Sequence, residues 1–163
     1  MSIYDSSIKP LLGSGAPLAD ARGKVTLVVN VASRCGLTPQ YSALQSIHDR
    51  FAADGFTVIG VPCNQFLGQE PGTPEEIADF CTTSFSVSFP LTEKVDVNGD
   101  AAHPLYRSLH DFADAEGYSG DIRWNFEKFV VGRDGSVVAR FHPKTAPDAP
   151  EVVDAITSAL GGS

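Results

Sequence analysis

The segment Lys24-Val25-Thr26-Leu27-Val28-Val29-Asn30-Val31-Ala32 is nearly unbroken apolar sequence rich in β-branched residues, which predicts a buried strand. Ser33 to Leu37 reads as a short turn. Thr38-Pro39 supplies a cap residue with proline at the first helical position, predicting a helix over about 39–53 that Gly55 closes. Phe56-Thr57-Val58-Ile59-Gly60-Val61 repeats the strand pattern and ends at Pro62-Cys63. A turn-rich loop, 64–72, leads to Thr73 with Glu76 three residues on, a capping box that opens the next helix. Ile77, Phe80, Cys81 and Ser84 share one face of it.

Beyond Phe89-Pro90 the pattern predicts a short strand over 93–97, then a helix from Pro104 with Leu105, Leu109 and Phe112 inward. Strands over 124–131 and 136–141 are joined by Gly132-Arg133-Asp134-Gly135, a hairpin signal. A last helix opens near Asp148, turns Val153, Ile156 and Leu160 inward, and stops at Gly161. Ahead of the first strand, 3–22 is broken by Pro10, Gly13, Gly15 and Pro17 and reads as a hairpin lead-in. The alternation implies one α/β domain over 1–163, with a central mixed β-sheet flanked by helices and an N-terminal hairpin. That is a thioredoxin-like layout, in which chemistry sits at the carboxyl ends of the central strands.

Composition narrows the function. With 163 residues, 42% hydrophobic and 20% charged, the chain can bury a core without disulfide staples. A net charge of −8, with lysines and arginines scattered singly, argues against nucleic acid or stable membrane association. The start Met1-Ser2-Ile3-Tyr4-Asp5 lacks the basic and apolar regions of a signal peptide. Three cysteines cannot all pair within the chain, which points to a reducing compartment and the cytoplasm.

Those cysteines differ in setting. Cys35 lies between the first strand and a helix start, where unpaired backbone N–H groups and the helix dipole favour thiolate, the nucleophilic form. Cys63 ends the second strand and reads as structural. Cys81 lies on an apolar helix face and reads as core filler. Yet Thr82-Thr83-Ser84-Phe85-Ser86-Val87-Ser88 after it are poor helix formers, and opening there would free its thiol as a partner for Cys35. Gln69, Trp124 and Asn125 fall at the same sheet edge as Cys35 and bring neutral N–H donors suited to orienting a peroxide. Each alone also reads as an ordinary loop, core or strand-end residue. There is no CxxC, the histidines form no cluster with the cysteines, and no glycine-rich phosphate loop is placed between strand and helix, so no metal or other cofactor is expected.

Three blocks now stand out together: Asn30-Val31-Ala32-Ser33-Arg34-Cys35-Gly36-Leu37-Thr38, Pro62-Cys63-Asn64-Gln65-Phe66 and Trp124-Asn125-Phe126-Glu127-Lys128-Phe129. In order and spacing they resemble the signature blocks of the glutathione peroxidase family, and the similarity covers essentially the whole chain. The resemblance implies a catalytic tetrad of Cys35, Gln69, Trp124 and Asn125, with Cys35 where many animal members carry selenocysteine. Cys81, in Phe80-Cys81-Thr82-Thr83, matches the resolving cysteine of thioredoxin-dependent members. The short segment 115–121 resembles the compact branch, which implies a monomer or weak homodimer. The implied function is reduction of hydrogen peroxide and organic, including lipid, hydroperoxides. Thioredoxin is the expected reductant and glutathione the alternative. A one-cysteine glutathione-using peroxidase, or a peroxide sensor that relays oxidation to a client, would use the same Cys35.

Overall fold

The computed structural model describes residues 2–161. Two strands, β1 (Val25–Val31) and β2 (Phe56–Pro62), pair in parallel from Val25 opposite Phe56 to Val31 opposite Pro62. The other edge of β1 takes β3 (Lys128–Val131) antiparallel, and β3 carries β4 (Val137–Phe141), giving the order β2-β1-β3-β4. All of β1 and β2 is buried, as parallel strands covered on both faces must be.

The helices are α1 (Pro17–Asp20), α2 (Gln40–Phe51), α3 (Pro74–Phe85), α4 (Pro104–Leu109) and α5 (Pro150–Ala159). Alternation along the strands splits the interior in two. Val25, Leu27, Val29 and Val31 of β1 face a core completed by Tyr41 and Leu44 of α2, Ile77 and Cys81 of α3, and Val152 and Ile156 of α5. Val28 of β1, with Ile59 and Val61 of β2, faces a second core with Leu18 of α1 and Leu105, Tyr106 and Leu109 of α4. The sheet is the wall between them.

Most expected elements are present, including the Thr73–Glu76 capping box, with both of its hydrogen bonds made, and the β3–β4 hairpin. Gly55, at φ 92, closes the 3-10 turn that prolongs α2. Several expectations need correction. The N-terminal hairpin does not form among the described residues. Pro10 lacks a donor, and Pro17 starts α1 instead of a strand. Residues 9–11 pair instead with 91–93, through Leu11 N–H to Leu91 O (2.9 Å) and Glu93 N–H to Lys9 O (2.8 Å).

The strand expected over 93–97 is likewise replaced by a crossing one step earlier. Gly60 bonds both Pro90 O (3.0 Å) and Thr92 N–H (2.9 Å), and a Cβ on it would lie 2.7 Å from Leu91 Cδ2. Any larger residue would have to push the Leu91 side chain aside, so glycine suits that approach. In the last helix, Pro150 takes the first position after Ala149, so α5 begins two residues beyond Asp148. It buries Val152 and Ile156, while Val153 and Leu160 are half-buried.

Candidate active site

The Cys35 turn hangs from the end of β1 and is tied down at every step. Ser33 N–H donates to Glu70 Oε1 (3.0 Å) and Arg34 N–H to Gln69 O (3.0 Å). Cys35 N–H donates to Thr38 Oγ1 (3.0 Å), and the Thr38 hydroxyl donates onward to Ala32 O (2.9 Å). Thr38 was expected to cap α2; that helix begins two residues later, and its hydroxyl closes the cysteine turn instead. The Cys35 sulfur accepts the backbone N–H of Leu37 at 3.3 Å, the kind of donor expected at this position. It is 8% exposed, against 1% for Cys63 and for Cys81, so of the three it is the one a small molecule can reach.

Gln69 is half-buried in the loop after β2, and Asn125 is fully buried opposite it. Asn125 Nδ2 donates to Gln69 Oε1 at 2.9 Å, which fixes how the glutamine amide points. Trp124 packs on Phe66, ring centroids 5.3 Å apart, and against the core cluster that contains Cys35. Among the described residues neither the Gln69 amide N–H groups nor the Trp124 indole N–H donates to another protein group, so both are available to a substrate.

The segment 124–127 is not the strand expected there. Asn30 Nδ2 donates to Trp124 O (3.0 Å) and Phe126 N–H to Asn30 O (2.7 Å). Phe126 takes φ 69, a left-handed conformation that ends any strand geometry, so β3 starts only at Lys128. The structure therefore joins Gln69 and Asn125 directly, ties the Cys35 turn to Gln69 through Arg34, and anchors Trp124 to β1.

Cys81 shares the Cys35 core but stays a free thiol, as do Cys35 and Cys63. Burial raises the Cys81 thiol to about 11, and the Tyr41 hydroxyl beside it pulls partly the other way. Cys63 lies in the other core with its Sγ 3.6 Å from Gln65 Oε1, and burial raises its thiol too.

Sequence reasoning missed the groups that hold this arrangement. Glu70 is fully buried, and burial pushes its carboxyl above the ordinary range despite the Ser33 hydrogen bonds. Glu127, also buried, is gripped by Arg140 (2.6 Å) and Arg123 (2.9 Å). Arg140 in turn ties down the carbonyls of His110, Phe112, Gly120 and Asp121, the stretch leading to Trp124. The one available signal is charge at 127, 128 and 140, positions of the expected strands where the pattern calls for apolar residues.

The sheet and its helices make this a thioredoxin-like fold. The sequence model of the glutathione peroxidase family matches residues 3–110. Hydroperoxy fatty acid reductase Gpx2 of Synechocystis is 54% identical over 90% of this chain and 93% of its own length. Thioredoxin/glutathione peroxidase BtuE of Escherichia coli is 45% identical over 98% and 97%. The crystal structure of T. cruzi GPX1 superposes with a TM-score of 0.77 at 32% identity, covering 99% of this chain and 97% of that one. The chain belongs to the glutathione peroxidase family. It is a thiol peroxidase, an enzyme that reduces hydroperoxides.

Proposed function

We propose that Cys35 is the peroxidatic cysteine, that Gln69, Trp124 and Asn125 orient the peroxide, and that Cys81 resolves the product for reduction by thioredoxin. The Cys35 thiolate attacks one peroxide oxygen and the O–O bond breaks. The sulfur becomes sulfenic acid, and the leaving alkoxide or hydroxide takes a proton to depart as alcohol or water. The unengaged amide of Gln69 and indole of Trp124 steady the charge that develops on oxygen.

Cys81 then gives its thiol proton to the departing hydroxyl as the S–S bond forms, releasing water. While α3 is folded, that thiol is a poor nucleophile, because burial holds it near 11. Unwinding the helix end removes the burial and returns the thiol to its ordinary range. A dithiol reductant then opens the bridge through a mixed disulfide.

The observation that carries this reading is the placement of Cys35 and Cys81 in one core, with Cys63 across the sheet. The likeness to BtuE, named for both reductants, supports thioredoxin with glutathione as the alternative. The names of the Synechocystis relatives support lipid-derived as well as small hydroperoxides as substrates. Among the described residues no helix is long and apolar enough to cross a membrane. A cytoplasmic monomer or weak homodimer is the working form.

The test is peroxide-dependent NADPH oxidation coupled through thioredoxin and its reductase, run in parallel with glutathione and its reductase. The parent should turn over with thioredoxin. Cys81→Ser should consume one equivalent of peroxide and stall with a trappable sulfenic acid on Cys35. Peptide mapping of the oxidised parent should give a Cys35–Cys81 bridge with Cys63 free. Full turnover of Cys81→Ser with glutathione would make this a one-cysteine enzyme. A parent that turns over with neither reductant but oxidises a client would make it a relay.

A further inference from the structure

Lys128 is the least expected buried group in the molecule. It opens β3 with its side chain on the same face as Val130, toward the core of α2 and α5, and it is fully buried. Among the described residues it forms no ion pair. Its Nζ donates instead to two backbone carbonyls, Phe126 O at 2.5 Å and Pro143 O at 2.9 Å. The first belongs to the residue held at φ 69, immediately after Trp124 and Asn125. The second also accepts Gln40 Nε2 at 2.8 Å, and Gln40 is the first residue of the helix that follows the Cys35 turn.

We infer that Lys128 is a positioning residue of the peroxide site. Its side chain pins the left-handed turn that presents Trp124 and Asn125, and links that turn through Pro143 to the start of the Cys35 helix. The inference rests on the proposed roles of those residues. An apolar side chain would fill the same space, but it would leave Phe126 O without its buried donor and the strained backbone without its clamp. Nothing in the Lys128 contacts touches a reacting atom; it acts through the two halves of the site that it joins.

Burial draws the ammonium from 10.5 down to about 7, with the negative charge of Glu127 acting the other way. The amine loses its charge and one of its three protons in the physiological range, and the clamp weakens as pH rises through that point. Few charges face it. Glu127 is held by Arg123 and Arg140. From β4 its pairing partner is Phe141, between Arg140 and the exposed His142. From β1 its partner is the uncharged Val29, from α2 the Gln40 amide meets it at Pro143 O, and α5 turns the uncharged Val152 and Ile156 into this core.

The chain has a single tryptophan, so emission excited to the red of tyrosine absorption reports on Trp124 alone. In a Cys35→Ser background, Trp124 emission should show a step centred near pH 7 that Lys128→Met removes. In the full-length enzyme, stopped-flow sulfenate formation should slow roughly 10- to 100-fold in Lys128→Met, the scale expected from misplacing an orienting group. The later disulfide-forming phase should keep its parent rate. A step that persists in Lys128→Met, or parent-like sulfenate formation with parent-like pH dependence, would overturn the inference. If Lys128→Met does not fold, Lys128→Gln, which keeps N–H donors but cannot titrate, takes its place: it should likewise remove the step near pH 7, and should slow sulfenate formation less than loss of both donors would. Should the parent fail to reduce hydroperoxides at all, the proposed function falls, while the Trp124 titration still decides whether Lys128 clamps the turn at Phe126.

Discussion

The two cysteines that share a core sit in opposite kinds of structure. The Cys35 turn is bound at Ser33, Arg34, Cys35 and Thr38 to Glu70, Gln69 and Ala32, and its sulfur takes a further backbone donor. The end of α3 is held differently, by its own closing turn, by Gln45 and by Phe85 packed on Tyr41, with solvated side chains between. Cys81 is followed by exposed Thr82, Thr83 and Ser84, and the helix closes on Ser86 in the left-handed region at φ 52. Val87 N–H to Cys81 O and Ser86 N–H to Thr82 O, both 3.1 Å, complete that closure, and Gln45 reaches over to Ser88 from α2. A nucleophile gains from being held where the peroxide arrives. A resolving thiol that starts buried has to be released, and release costs least where the backbone is strained and the side chains are solvated. One region is built for geometry and the other for departure.

The contrast can be tested from either side. Cys35→Ser should abolish peroxide reduction, because a serine hydroxyl does not ionise enough to replace the thiolate; turnover by the purified variant would end its role as nucleophile. Asn125→Ala removes the donor that fixes Gln69 and should slow sulfenate formation by roughly 10²–10³-fold, the loss seen when one charge-stabilising group is taken away. The subsequent disulfide phase should keep its rate in stopped-flow traces, and slowing of both phases alike would show a general disturbance.

The smallest effect is expected at the other region. Glycine at position 86 adopts the left-handed cap without the roughly 1–2 kcal/mol that serine spends there. Ser86→Gly should therefore leave the first phase unchanged and slow disulfide closure by roughly 5- to 30-fold, the equivalent of that energy. An unchanged second phase would mean that the cap does not control release of Cys81.

These experiments aim at features that the sequence displays unevenly. β1, the Cys35 turn, the Thr73–Glu76 box and the order of the three blocks could be read directly, because each is decided by neighbours a few residues apart. The expected N-terminal hairpin and 93–97 strand do not form because 9–11 and 91–93 satisfy one another across the chain, and local pattern carries no trace of that pairing. The start of β3 was misplaced by four residues for a related reason. Asn30, far upstream, holds Trp124 and Phe126 in a turn that β-propensity alone would have drawn as strand. Local pattern places Thr38 at the cap of α2 and does not reveal the roles of Glu70, Glu127, Arg140 and Lys128, since a buried polar side chain is defined by the groups that complete its hydrogen bonds in the folded chain.

The separation of the two cores has a consequence for how the protein is made and remade. In an unfolded chain three thiols can be joined by one bridge in three ways. Once the sheet has formed, Cys63 points into one compartment while Cys35 and Cys81 occupy the other. Oxidation before folding should therefore scatter among isomers, two of them tying Cys63 to a thiol of the opposite compartment and so opposing closure of the sheet. Oxidation after folding should yield one. The order of events, folding first and oxidant second, would then decide whether a newly made chain becomes an enzyme or a cross-linked dead end.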